Sequence, residues 1–175
     1  MAFFASLRYT SNMFPGDSAP GNVLDQLDAL PDEGSKRFVA ILNEKVEIGR
    51  LFNALGHMTA GLAAQLSVAT NLCFLEYRDA DGGVHPRISH FPFIVLRAEN
   101  SNQIRKVRQE ALAHALPYTD FTRSMTLGTS AEQLTATVNT RESDLEYLGI
   151  CLFGDTDTLR QLTKRFSLFK CNYSA

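Results

Sequence analysis

Residues Phe38-Val39-Ala40-Ile41-Leu42 run directly into Asn43-Glu44-Lys45-Val46-Glu47-Ile48-Gly49-Arg50-Leu51-Phe52-Asn53-Ala54-Leu55-Gly56-His57, and this stretch decides the fold. The first five positions are all apolar. Such a run suits a central strand covered on both faces, as in a parallel or mixed sheet. The chain then changes period: Leu51, Leu55, Met58, Leu62 and Leu66 fall at helical spacing, which predicts a helix from Val46 to about Leu72. Ala54, Gly56, Ala60, Gly61, Ala63 and Ala64 keep that helix slim, so its backbone is expected to lie close to the sheet.

Outward from this unit the same alternation continues. Phe74–Arg78 reads as a strand, and Asp81-Gly82-Gly83 supplies the positive-φ positions of a tight turn. Phe91–Arg97 is a further apolar strand, with Pro92 suggesting an edge or bulge at its start. Ser101 is placed to cap a helix through Leu116, stopped by Pro117. Tyr118–Leu127 reads as extended, and Ser130–Gln133 as the opening of a short helix or turn. Tyr147–Phe153 is a core strand, Asp155 or Thr156 caps a helix to Lys164, and Phe166–Phe169 closes the chain as a short strand. The expected class is α/β, a mixed central sheet with helices on both faces.

On the other side of the opening run, turn formers cluster between Pro15 and Gly34. Residues 1–34 therefore read as an acidic Pro- and Gly-containing leader and linker, with 35–175 as a single α/β domain. The leader carries Arg8 against Asp17, Asp25, Asp28, Asp32 and Glu33, whereas the remainder carries 16 basic and 14 acidic side chains. That balance lacks the strong positive bias of a dedicated nucleic-acid binder. With 175 residues, 45% of them hydrophobic, the chain is long enough to bury a core without disulfide or metal. Cys73, Cys151 and Cys171 are widely spaced beside apolar runs, as inert thiols in a reducing compartment are. With neither a membrane-length apolar run nor a signal-peptide pattern, a cytoplasmic protein with no membrane association is expected.

The junction after the first strand is also the place to look for chemistry. Ligands of α/β sheets bind at the carboxyl ends of strands, where helix N-termini converge. Arg50, Asn53 and His57 recur at steps of three and four, so they share one stripe of the helix. Lys45 and Arg50 are candidates to hold a phosphate or carboxylate, and His57 to move a proton near neutral pH. A lone helical histidine beside glycines is more often a buried hydrogen-bonding residue than a catalyst. His85 and His90 lack the acidic or thiol neighbours of a metal site, so neither metal nor cofactor is expected. Arg105, Lys106 and Arg108 form a basic patch, read as a solvated helix face rather than an RNA contact. No serine sits in a Gly-x-Ser-x-Gly elbow.

Gly49-Arg50-Leu51-(x)5-His57-Met58-Thr59-Ala60-Gly61 resembles the Gly-Lys-Ile-(x)5-His-Ala-Ala-x-Gly pattern of type-2 peptidyl-tRNA hydrolases, and it too follows the first strand. Phe38–Asn43, Leu55–Met58, Asp120-Phe121-Thr122-Arg123-Ser124-Met125 and Leu152-Phe153-Gly154 resemble an uncharacterised family, domain of unknown function 2000, assigned the same fold. The resemblance implies a type-2 peptidyl-tRNA hydrolase-like fold over about four-fifths of the chain. Where the hydrolases have lysine this chain has Arg50, and where they have aspartate it has Ser124. The expectation is therefore a small anionic ligand held by Lys45 and Arg50, oriented by Asn53 and His57, with hydroxyl contacts from Thr126 or Thr129. An active ester hydrolase using His57 or Asp120, with tRNA as candidate partner, is one alternative. A homodimeric interaction module is another.

Overall fold

A computed structural model describes residues 30–67 and 72–170. The leader up to residue 29, the last part of the expected first helix and Cys171 lie outside the described residues. The elements are β1 (Lys36–Asn43), α1 (Ile48–Ser67), β2 (Phe74–Arg78), β3 (Val84–Ser89), β4 (Phe93–Ala98), α2 (Ser101–Ala113), β5 (Tyr118–Thr122), α3 (Ser130–Val138), β6 (Tyr147–Asp155), α4 (Thr156–Thr163) and β7 (Ser167–Leu168). Short 3-10 turns occupy Arg123–Thr126 and Glu142–Asp144.

The apolar run Phe38–Leu42 forms the middle of a five-stranded sheet ordered β5-β6-β1-β4-β7. β1 is parallel to β4 and antiparallel to β6, while β5 and β7 are antiparallel to their neighbours, so the sheet is mixed. Because strand side chains alternate, β1 feeds two cores. Phe38, Ala40 and Leu42 pack with Leu51, Ala54, Met58, Leu62 and Leu66 of α1. Val39 and Ile41 pack with Ile104, Val107 and Ala111 of α2 and Leu159 of α4. Helices thus cover both faces of β1. Each fully buried Leu or Met of α1 contributes about 1.5–3 kcal/mol by leaving water.

Several expectations shift in detail. The helix α1 begins at Ile48 rather than Val46, since Asn43 accepts the Lys45 N–H at 3.2 Å and holds a turn after the strand. Ser101 does not cap α2; Asn100 does, accepting the Gln103 N–H at 3.1 Å, and Ser101 Oγ instead accepts the Tyr147 N–H at 2.8 Å. The helix ends at Ala113, ahead of the expected Leu116, with Ala115 at a φ of 51°. Pro92 lies just outside β4, which is an interior strand. β2 does not join the main sheet. It pairs with β3 in a separate two-stranded ribbon, whose strand β3 was illegible because Val84–Ser89 is mostly exposed and contains Pro86. The turn between them does need its glycine: Gly82 has φ +84°, and Asp79 accepts the N–H groups of Asp81 and Gly83.

The glycines of α1 are not what brings the helix and the sheet together. A Cβ at Gly56 would meet nothing within 4 Å, so this glycine does not mediate a close approach. The close approach is made by the strand: at Gly149 of β6 a Cβ would lie 2.7 Å from Met58 Cε and 2.9 Å from Leu42 Cδ2. Among the described residues no helix is long and apolar enough to cross a membrane.

Candidate functional site

On a helix, neighbouring residues stand about 100° apart. Arg50, Asn53 and His57 each precede a buried residue, Leu51, Ala54 and Met58. The polar stripe therefore runs along the margin of the face that α1 presses on the sheet. At that margin β5 ends and the chain turns through Arg123–Thr126 into α3.

The two sides enclose a cleft of about 610 Å³, lined by Glu47, Gly49, Arg50, Asn53 and His57 from α1 and its start. Phe121, Met125, Thr126, Ser130 and Gln133 line it from the opposite side. His57 is exposed, and its ring stacks on Phe121 with centroids 5.7 Å apart and planes 24° from parallel. It is not the buried core histidine that its glycine neighbours also allowed. Arg50 is exposed and has no ion-pair partner among the described residues.

The far wall is held by polar bonds. Arg123 donates its backbone N–H to the Glu146 carbonyl at 2.8 Å, and its guanidinium pairs with the Glu146 carboxylate. That hydrogen bond holds the Glu146 carboxyl below the usual carboxylate range. Ser124 Oγ lies 2.8 Å from Thr122 Oγ1 and 2.7 Å from Thr137 Oγ1, tying the turn to α3. Ser124 is thus a structural hydroxyl. Thr126 donates its hydroxyl to the Arg123 carbonyl at 2.7 Å, so it presents acceptor lone pairs to the cleft.

Two expected ligand contacts fall elsewhere. Lys45 sits in the turn after β1 and does not line the cleft. Thr129 is the N-cap of α3, where it forms a reciprocal box with Glu132. The Glu132 carboxylate accepts the Thr129 N–H at 2.6 Å and its hydroxyl at 2.9 Å, and the first of these bonds lowers its pKa. Ser130 and Gln133, one residue and one turn further on, face the cleft instead.

Asp120 is excluded as a partner of His57 by strand alternation. Thr119 and Phe121 face α1, the former donating its hydroxyl to the Met58 carbonyl at 2.8 Å. Asp120 projects to the other face, where Arg108 of α2 donates to it at 2.7 Å. This also corrects the basic patch. Arg108 is committed to Asp120 and lies 5.8 Å from the Tyr118 ring centroid. Arg105 donates to the carbonyls of Glu142, Ser143 and Leu145 and lies over Tyr147. Two of the three cations are clamps between elements, and Lys106 is exposed.

His85 pairs with Asp79 at 3.3 Å, and His90 Nε2 lies 2.8 Å from the Pro31 carbonyl. Among the described residues no group of three or more His, Cys, Asp or Glu is placed to hold a metal ion. Cys73 and Cys151 are free thiols, and burial pushes Cys151 up to about 12.

Sequence reasoning missed Glu47, Phe121, Met125, Ser130 and Gln133 as cleft residues. Phe121 and Met125 lay within a segment singled out for its resemblance, but nothing local indicated which face each would take. Glu47 carried a readable signal, an acid immediately before a helical period.

A family model described as protein of unknown function, DUF2000, matches residues 36–170. No curated protein matches the chain by sequence. Among solved structures, the protein of unknown function Atu0240 from Agrobacterium tumefaciens strain C58 is similar, with a TM-score of 0.67 and 20% identity. The match covers 78% of this chain and 98% of that one. At that identity the likeness concerns the fold alone.

Proposed function

The chain belongs to the DUF2000 family of proteins of unknown function, and from that premise we propose that it binds a small ligand bearing one anionic group in the cleft beside α1. Arg50 holds the anion, Asn53 and His57 orient it, and Phe121 and Met125 form the apolar floor beneath the ligand body. The observation that carries this reading is the pairing of an uncommitted guanidinium with a half-apolar concavity. Binding sites for small molecules combine an apolar lining with a few converging polar groups. The position, immediately after the first strand, is also where the resemblance to type-2 peptidyl-tRNA hydrolases places that family's site. We carry over the fold and the place but not the reaction. Ester hydrolysis needs a group to orient water or the imidazole, and Ser124 and Asp120 are both engaged elsewhere.

The test is a calorimetric titration of the full chain with monocarboxylates of apolar body, 3-phenylpropionate and 4-methylpentanoate among them. A hydrogen bond to a charged group is worth roughly 1.5 kcal/mol at the low end, so Arg50→Ala should weaken the tightest of them about tenfold. Unchanged affinity in that variant would remove the reading.

A further inference from the structure

The charges around this cleft narrow its ligand further, on the reading that Arg50 holds an anion there. We infer that the ligand is a small zwitterion, a free apolar α-amino acid whose carboxylate meets Arg50 and whose ammonium group meets Glu47. Three observations converge on it.

The first is that both helix starts bordering the cleft are already capped by the chain's own carboxylates. Glu47 Oε1 accepts the Gly49 N–H at 3.0 Å, and its carbonyl accepts the N–H groups of Arg50 and Leu51. At the start of α3, Glu132 reaches back to accept the N–H of the N-cap Thr129. Each helix start thus already holds a carboxylate beside its N–H groups, where a phosphate would otherwise sit. A polyanion arriving here would meet the Glu47 carboxylate beside a single guanidinium.

Second, Glu47 and Arg50 line the same wall three residues apart, and neither is ion-paired among the described residues. Glu47 Oε1 is used by Gly49, which leaves Oε2 as the remaining acceptor of a residue that lines the cleft. Side chains at this spacing stand with Cβ atoms about 5–6 Å apart. Opposite charges set one turn apart and not joined to each other match the adjacent ammonium and carboxylate of an α-amino acid. A plain carboxylate would satisfy Arg50 but place its charge beside Glu47.

Third, the floor opposite is apolar and firm. Phe121 is 7% exposed and backed by the α1 core cluster, Met125 packs on that cluster, and the His57 ring lies along Phe121. This is a surface for a side chain of leucine, methionine or phenylalanine size.

The experiment takes the full chain at neutral pH and titrates it with six compounds. L-phenylalanine is compared with 3-phenylpropionate, which lacks only the amino group, with phenethylamine, which lacks only the carboxylate, and with inorganic pyrophosphate. L-leucine and L-methionine serve as alternative side chains. The best L-amino acid should bind about tenfold tighter than its deaminated and decarboxylated counterparts. Glu47→Gln keeps an oxygen for the Gly49 N–H; it should erase the advantage over the deaminated acid while leaving the acid's own affinity equal or better. If 3-phenylpropionate matches L-phenylalanine, or pyrophosphate exceeds both, and Arg50→Ala weakens that binding, the zwitterion is overturned and the anion site stands. If Arg50→Ala changes nothing, or no probe binds, both are overturned. Should Glu47→Gln fail to fold, the comparison of ligands on the unaltered chain decides alone.

Discussion

Replacing Gly149 by alanine adds one methyl group at the most tightly closed point between β6 and α1. The new Cβ would lie 2.7 Å from Met58 Cε, 2.9 Å from Leu42 Cδ2 and 3.3 Å from the Ile41 carbonyl oxygen. The first two atoms end side chains that are each 1% exposed, so they have little free room to swing into. The third is backbone in the central strand and cannot yield. Overpacking of this kind costs about 1–3 kcal/mol. In a domain of this length each kcal/mol lowers Tm by roughly 2–4 °C, so the expected loss is about 2–12 °C. A double-mutant cycle makes the cause explicit. Met58→Ala alone leaves a cavity and costs about 2–5 kcal/mol. In the Gly149→Ala background that cavity receives the added methyl, so the double variant should be more stable than the sum by about 1 kcal/mol or more. Chemical denaturation of the four proteins measures this. Strict additivity would show that α1 does not rest on Gly149.

Thr129→Ala removes the reciprocal box with Glu132 and should cost about 0.5–2 kcal/mol in urea denaturation, with the affinity for the best carboxylate probe unchanged. An affinity loss matching that of Arg50→Ala would return Thr129 to the binding site. Arg105→Ala strips the donor that gathers three carbonyls before β6 and should destabilise by about 1–3 kcal/mol; a neutral result would contradict its role as a clamp. Stability should also fall on the alkaline side. Burial pushes both Cys151 and Tyr147 up to about 12, from 9.0 and 10.0. The unfolded chain therefore releases these protons first, and the stabilisation present below pH 9 is lost progressively toward pH 12. A urea midpoint that stays level from pH 8 to 11 would contradict this.

The central unit was legible because its signal is coarse and redundant. Five consecutive apolar residues and a leucine series at helical spacing survive any detail of packing, and both are where they were expected. What was lost depended on distant partners. Ser101 looks like a cap until Tyr147 claims its oxygen. Asp120 looks near enough to His57 in function until alternation sends it to the opposite face of the sheet. Arg105 and Arg108 form a basic run in sequence, yet their partners lie 12 to about 40 residues away. The stripe Arg50–Asn53–His57 was readable from period alone. Its opposite wall was not, because Met125, Ser130 and Gln133 reach the cleft only through a turn fixed by Arg123 and Glu146.

The most direct test of the cleft is a backbone amide NMR titration of the full chain with L-phenylalanine or, failing saturation, 3-phenylpropionate. Shifts concentrated in residues 47–57 and 121–133, and abolished by Arg50→Ala, are the predicted result. Shifts centred instead on the β2–β3 ribbon, or on the shallow hollow formed by Gln65, Leu116 and Tyr118, would contradict it.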